Sequence, residues 1–402
     1  MPRSPKPPRP DRPPNLQRRG LLLAGATAGF AAPALAAQAP HGTQTILDFG
    51  AAGDGTTDDS AAFSKALQYA AAEGRVITVP SLTYAIHQPI TFTSSAHVGR
   101  TWGFACHGAI LRSRISNGGD VMSLTSQHIV RYFRLTGGMS IIGSGSDGNG
   151  LKLFAAGNKP ALYNAFVEGL TVEKVGGSGL LAAGNVFENT FVNCYFQDCK
   201  KNGATFAHTQ GGVCSAIGII GCYFNQNGNY GLAAMNLDGP QGGTTDVRVH
   251  GGYCRDNQSY GFFYSNGTSA GGAIEQVGFE NNCRGLQPGD AKGAHIFAQT
   301  QVQLRNCTGY NEIGGATYLL RGYFSGLAIL DGCAQGSGGK VKATGASRLV
   351  QVNGNGSGHV LLRNCVGGVD LAPGAACTWA AEFSTGPSPR GVLNPRGMIS
   401  SS

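Results

Sequence analysis

A six-residue apolar segment followed at a fixed distance by a glycine recurs along the middle of the chain. This repeat restricts the fold more than any other feature of the sequence. Residues 191–196 precede Gly203, residues 219–224 precede Gly231, and residues 249–254 precede Gly261, each by seven positions. An earlier copy ends at Val172 before Gly179, and a later one, 274–279, precedes Gly285. The marker glycines are 24 to 30 residues apart, a period that belongs to solenoids or propeller-like arrays. Each unit reads as a strand, an Asn- or Gly-rich turn, the glycine, and a second short strand such as 203–206 or 261–264. No unit buries its apolar side alone, so the coils must stack, with neighbouring strands about 4.8 Å apart. A propeller needs longer units and a blade signature, which is absent. Weaker copies at 302–307, 327–333 and 360–365 extend the stack. The 64 glycines fit many short strands joined by tight turns; they show neither collagen's period nor low complexity.

The segment 46–90 prepares this stack. Gly50, Gly53 and Gly55 around Asp54 mark a tight turn. Asp58 or Asp59 can accept hydrogen bonds from the first amides of a helix expected over 60–72. Ala62, Phe63, Ala66, Leu67 and Ala70 give it one apolar stripe, and Gly74 ends it. Short β segments follow from Val76. An amphipathic helix ahead of many strands suits the open end of a strand stack.

The sequence 48–59, Asp-Phe-Gly-Ala-x-Gly-Asp-Gly-x-Thr-Asp-Asp, followed by a helix, Gly74, a strand and Pro80, resembles the amino-terminal signature of the pectate-lyase-like superfamily. Its rhamnogalacturonase, epimerase and tailspike branches are right-handed parallel β-helices. The resemblance implies an all-β, single-stranded right-handed parallel β-helix with an N-terminal α-helical cap. It also implies a role in polysaccharide chemistry. The catalytic motifs of two branches are missing from the coils. The polygalacturonase branch uses Asn-Thr-Asp, an adjacent Asp pair, Gly-His-Gly and Arg-Ile-Lys; the alginate epimerases use Asp-Pro-His. Residues 249–252, Val-His-Gly-Gly, match the histidine motif only in part, so no family catalytic residue is carried over.

Residues 1–36 are expected to be a leader. Six basic residues stand against Asp11, an apolar or small run covers 21–30, and Ala34-Leu35-Ala36 reads as a cleavage site. Arg18-Arg19 before Gly20-Leu21-Leu22 looks like a twin-arginine signal, implying export by a bacterium to the periplasm or beyond. The apolar run is too short to span a membrane. The β-helix is expected over 37–385, with the cap and first strands at 45–92, and a flexible tail over 386–402. The net charge of +8 falls to +3 without the five net charges of residues 1–36. That gives no case for nucleic acid and a slight lean toward an acidic partner. No cofactor is demanded, a divalent cation such as calcium is compatible, and so is a homo-oligomer.

Eleven cysteines in an exported chain raise the question of disulfides. Cys194, Cys222, Cys307, Cys333 and Cys365 each close an apolar strand, as small buried residues would. The expectation is a mostly free, buried set, with Cys194–Cys199 and Cys214–Cys222 as the pairs to test. No pair has the Cys-x-x-Cys spacing of a structural zinc site.

The densest chemical candidate is 244–250, Thr-Thr-Asp-Val-Arg-Val-His. Strand alternation puts Asp246, Arg248 and His250 on one face, opposite Val247 and Val249. Arg248 can grip a carboxylate bidentately and His250 can act as a base near neutral pH. β-Elimination from a uronic acid needs this pair, whereas hydrolysis needs two carboxyl groups. The alternative is a solvated ion pair on a surface strand. Repeat alignment puts Glu275 level with His250, and Glu280 level with Arg255. Asp238 lies in the longest insertion, beside His208 in the preceding one. Glu168, Glu173, Asp198 and Lys201 occupy similar columns lower down. Tyr230, Tyr260 and Tyr264 are candidates for stacking on sugar rings. The length variation falls at 208–212, 235–243 and 266–272, on one flank, where insertions build binding surfaces or serve as tolerated loops.

The leading expectation is a polysaccharide lyase with Arg248 and His250. A glycoside hydrolase using Asp246 or Asp238 with Glu275 comes next. A non-catalytic glycan-binding protein is the third; His208, Arg255 and Tyr264 are the expected substrate-binding residues.

Overall fold

The computed structural model describes residues 43–157, 159–209, 211–237, 244–265, 272–287, 290, 292–324, 326–337, 348–354, 356–382, 392–393 and 398–400. The expected leader, Asp238 and most of the expected tail lie outside them. The chain is a parallel β-solenoid of about ten turns, 6% helical. Among the described residues the strands form two eleven-stranded sheets and one of seventeen. One coil shows the plan: Thr245–His250 lies in the seventeen-stranded sheet, called sheet I, Tyr253–Arg255 in sheet II and Phe262–Tyr264 in sheet III.

The repeat register holds. Phe191 pairs with Ile219, Ile219 with Val249 and Val249 with Ile274 in sheet I, all parallel. Phe196, Phe224, Cys254 and Phe279 do the same in sheet II. Each apolar segment expected to be one strand is two. The chain turns from sheet I to sheet II at a residue with positive φ: Asn193 (50°), Gly221 (62°), Gly251 (66°) and Gln276 (56°). Inward positions are three apart across the bend (Phe191 and Cys194, Ile219 and Cys222, Ile274 and Val277), so the alternation shifts by one residue there while the apolar run continues.

The marker glycines mark a close approach. A β-carbon at Gly203 would stand 2.6 Å from the Gly231 carbonyl oxygen, and one at Gly231 would stand 2.7 Å from that of Gly261 and 2.5 Å from Cys254 Sγ. In the next coil Phe262 pairs with Ile296, so His295 follows Gly261 in this column. Gly285 does not; it lies in a turn before the strand Ala294–Ala298.

Inside, Phe196 stacks on Phe224 at 5.6 Å, and Phe262 meets Phe224 and Phe279 edge-on. A buried asparagine ladder runs beside them. Asn227 donates to Asn257 at 2.9 Å and Asn257 to Asn282 at 2.8 Å, while Asn282 lies 3.1 Å from His295 Nδ1. All four are fully buried. Burial pushes His295 down to about 3, so it is neutral at ordinary pH.

The eleven cysteines are free and buried, and neither tested pair is bonded. Cys194 and Cys222 are neighbours, with Cys194 N donating to Cys222 Sγ at 3.4 Å. In the coils above, Gly252 and Val277 take this column before Cys307, Cys333 and Cys365 resume it, as the backbone bonds from Tyr253 to Cys222, Gly278 to Gly252 and Thr308 to Val277 show. Burial pushes the Cys199 and Cys214 thiols up to about 12.

A helix spans Ser60–Glu73 and buries the expected stripe, with Phe63 edge-on to Tyr84 and Phe104 at 5.1 and 5.6 Å. Asp58 accepts from Ser60 N at 3.0 Å; Asp59 instead holds the preceding turn through Ala52 and Gly53. Gly74 ends the helix at φ 64°. At the other end Met398–Ser400 pairs antiparallel with Thr378–Glu382 and with Val392–Leu393.

Candidate functional site

The strand Thr245–His250 turns Val247 and Val249 inward, each 2% exposed, and leaves Arg248 and His250 in solvent. Asp246 has φ 55°, so strict alternation is broken there. Its carboxylate still reaches Arg248, accepting from Nε at 2.6 Å and from Nη2 at 3.1 Å. This fork uses one edge of the guanidinium. The remaining edge faces water, since 70% of the Arg248 side chain is exposed.

His250 pairs in register with Glu275, as the repeat alignment expected. Its Nδ1 lies 3.5 Å from Glu275 Oε2, and Arg305 from the coil above grips the other oxygen at 3.1 Å. A carboxylate behind an imidazole fixes the ring's orientation and supports a proton arriving on it. The same register continues through Asp331, Arg363 and Glu382. The column therefore alternates in charge, and Arg363 pairs with Glu382 at 3.2 Å.

Other expected residues do not join this face. Arg255 is level with Glu280 but lies around the corner on sheet II, 3.9 Å from Asp256. Glu280 accepts from the Tyr253 hydroxyl at 2.8 Å, and Asp256 also holds Arg284 at 3.0 Å. His208 ends a strand of sheet III, 5% exposed, with Nδ1 2.7 Å from Asn236 Oδ1. Tyr264 is 4% exposed and packed in the core, so it offers no ring to a sugar. Asp238 lies outside the described residues, and so do most of the insertions 235–243 and 266–272. Among the described residues no three His, Cys, Asp or Glu side chains converge on a metal position.

Tyr230 and Tyr260, expected as stacking candidates, do belong to an aromatic surface on sheet III, whose other rings, Phe263 and Phe297, strand reading missed. Tyr230 stacks on Phe263 at 4.6 Å, Tyr260 on Phe297 at 5.0 Å, and Phe263 on Phe297 at 5.7 Å. Arg321 lies over Phe297 and donates to the Tyr260 hydroxyl at 3.3 Å. The parity of Phe262-Phe263-Tyr264 decides which ring points out, and three aromatic residues in a row hide that parity in the sequence.

Two family models match the chain. "Rhamnogalacturonase A/epimerase, pectate lyase-like" covers residues 44–99, and "Right handed beta helix region" covers residues 138–309. Together with the three-sheeted stack they support a place in the pectate-lyase-like β-helix superfamily. Solved structures share the fold at low identity. An exopolygalacturonase from Thermotoga maritima matches with TM-score 0.53 at 12% identity, over 87% of this chain and 92% of that one. The mannuronan C-5 epimerase AlgE4 A-module of Azotobacter vinelandii gives 0.50 at 14%, over 88% and 98%. ORF18 of Geobacillus virus E2 gives 0.52 at 16% over 84% of this chain, which spans 61% of that protein. No curated protein is a detectable sequence relative.

Proposed function

We propose that the chain is an exported enzyme acting on an acidic, uronate-containing polysaccharide, and that it cleaves by β-elimination. The observation that carries this reading is one exposed strand face on which Arg248 and His250 stand side by side, with Glu275 behind the imidazole. The free edge of Arg248 neutralises the substrate carboxylate, so that the charge developing on the enolate is stabilised. His250 removes the adjacent C5 proton while Glu275 holds its ring; the electron pair forms the C4–C5 double bond as the C4–O bond breaks, and the leaving oxygen takes a proton from water. Fold likeness to an exopolygalacturonase and a mannuronan epimerase supports a uronate polymer as the substrate class. The hydrolase reading needs a carboxyl group free to donate a proton. Both oxygens of Asp246 accept from Arg248, and those of Glu275 face Arg305 and His250. That favours elimination. Residues 1–36 act as the export leader in this reading, and the helix Ser60–Glu73 covers the first coil.

Incubation with polygalacturonate and with alginate, followed near 235 nm (the unsaturated uronate chromophore), tests the reaction. A rise in absorbance is expected. Reducing ends appearing without absorbance would install the hydrolase, and binding without turnover on a broad glycan panel would leave a glycan-binding protein.

A further inference from the structure

At the corner between sheets II and III, low in the stack, an open hollow of about 320 Å³ is lined by Arg112, Arg114, Ser116, Ser144 and Ser146 among others. Arg112 belongs to the strand Ala109–Ser113, and Arg114 follows it on the same side of the backbone. Both are exposed, and among the described residues no carboxylate pairs with either. Lys200 reaches down from two coils above. Its Nζ stands 3.8 Å, and its Cε 3.6 Å, from the place a β-carbon would take on Gly145, between the two lining serines. Lys200 also has no carboxylate partner among the described residues. Asp147, in the rim turn, is buried and already used: it accepts from Ser144 N at 2.9 Å and from Gly176 N at 2.8 Å. Glu173 lies one rung above the lining residue Ile142 and forms no ion pair with either arginine among the described residues.

Arg112 and Arg114 share one hollow with no ion pair to an acid among the described residues, and Lys200 stands beside its Ser144–Ser146 rim without lining it. On the outer column of sheet I the opposite arrangement holds, Arg305 meeting Glu275 and Arg363 meeting Glu382 in neighbouring coils. Unpaired guanidinium groups beside serine hydroxyls form a receptor for planar anions, because each fork can take two oxygens at once. We propose that this hollow is an anchoring subsite for carboxylate groups of an acidic polysaccharide, separate from the Arg248–His250 face. The polymer class rests on the function proposed above; the anion site rests on its own residues.

The test is retardation of the full chain in gels containing polygalacturonate, dextran sulfate or neutral dextran. Polygalacturonate should retard the protein and neutral dextran should not. Arg112→Gln/Arg114→Gln should weaken the retardation about tenfold, the scale of losing one or two charge-assisted hydrogen bonds, at an unchanged melting temperature. Lys200→Gln should weaken it less. Arg112→Lys/Arg114→Lys, which keeps the charge, should recover part of it. Equal retardation of wild type and the glutamine double variant overturns the site. A lysine variant as weak as the glutamine variant and lower in melting temperature assigns the arginines a structural role and overturns it too. Stronger retardation by dextran sulfate than by polygalacturonate at equal charge overturns the carboxylate assignment. If the wild type turns over no polymer while arginine-dependent retardation persists, the lyase reading falls and the hollow stands.

Discussion

Two columns of polar side chains climb the same stack, one inside and one outside. The inner column, Asn227, Asn257, Asn282 and His295, is fully buried; its asparagines are hydrogen-bonded from coil to coil, and His295 meets Asn282 within the last of these coils. The outer column, His250, Glu275, Arg305, Asp331, Arg363 and Glu382, has the same register and meets water throughout. Inside, each rung satisfies groups that water does not reach, so losing one leaves buried donors and acceptors unpaired. Outside, water replaces any lost partner, and exposed ion pairs contribute about 0–1 kcal/mol. The inner column is therefore assigned to stability. The outer one is free to be spent on binding and chemistry.

Four measurements sharpen or break this division. Arg248→Ala and His250→Ala should each lower turnover on a cleaved uronate polymer by about 10²–10³ without moving the unfolding midpoint. Arg248→Lys should recover only part, because an ammonium cannot act as a fork. Wild-type rates in both alanine variants would move the chemistry elsewhere on the coil. Asn257→Leu should do the reverse. It removes the acceptor of Asn227 and the donor to the Phe224 carbonyl, and should cost about 3 kcal/mol in urea unfolding. A loss below about 1 kcal/mol would show that the ladder is not the stabilising column.

His295 links the inner column to pH. Its ordinary value is 6.5 and its folded value about 3, so between them the unfolded chain binds a proton that the folded chain does not. Stability is full above 6.5 and falls as pH drops through that window, with a slope of up to about 1.4 kcal/mol per pH unit. His295→Gln should remove this part of the acid sensitivity, read as the difference in unfolding midpoint between pH 7 and pH 4.5. An unchanged pH profile would place the acid-sensitive step on other groups. The smallest effect belongs to Arg305→Gln. It breaks the pair with Glu275 and should change stability by less than about 1 kcal/mol. A larger change would mean that the outer column also holds the coils together.

Much of the stack was legible because packing wrote it into the sequence. The glycines at 203, 231 and 261 stand where a neighbouring carbonyl leaves no space for a β-carbon, and inward apolar residues recur on both sides of each corner at the same three-residue spacing. The levels of His250 with Glu275 and Arg255 with Glu280 followed from the same spacing. The coil after Gly261 misled, because a turn containing Gly285 is inserted there and His295 takes the marker place. Tyr264 and His208 looked available on composition alone. Burial depends on which residue of each strand faces inward, and neither strand alternates polar with apolar. The arginine hollow was not legible at all. Arg112 and Arg114 come from coils that lack the clear motif, Lys200 sits in the turn before Gly203 higher in the stack, and only the coil register brings them near one another.

The constant rise of the stack makes the molecule a ruler. Five rungs separate the sheet II strand that carries Arg112 from the one that follows His250, roughly 24 Å at about 4.8 Å per rung. Any two stations along this axis can differ only by whole rungs. Adding or deleting one coil would shift their separation by one graduation and leave every other spacing intact. A polymer that engages both stations must have at least that length, so short oligomers should reach the chemistry without the anchor, and long ones should gain from both.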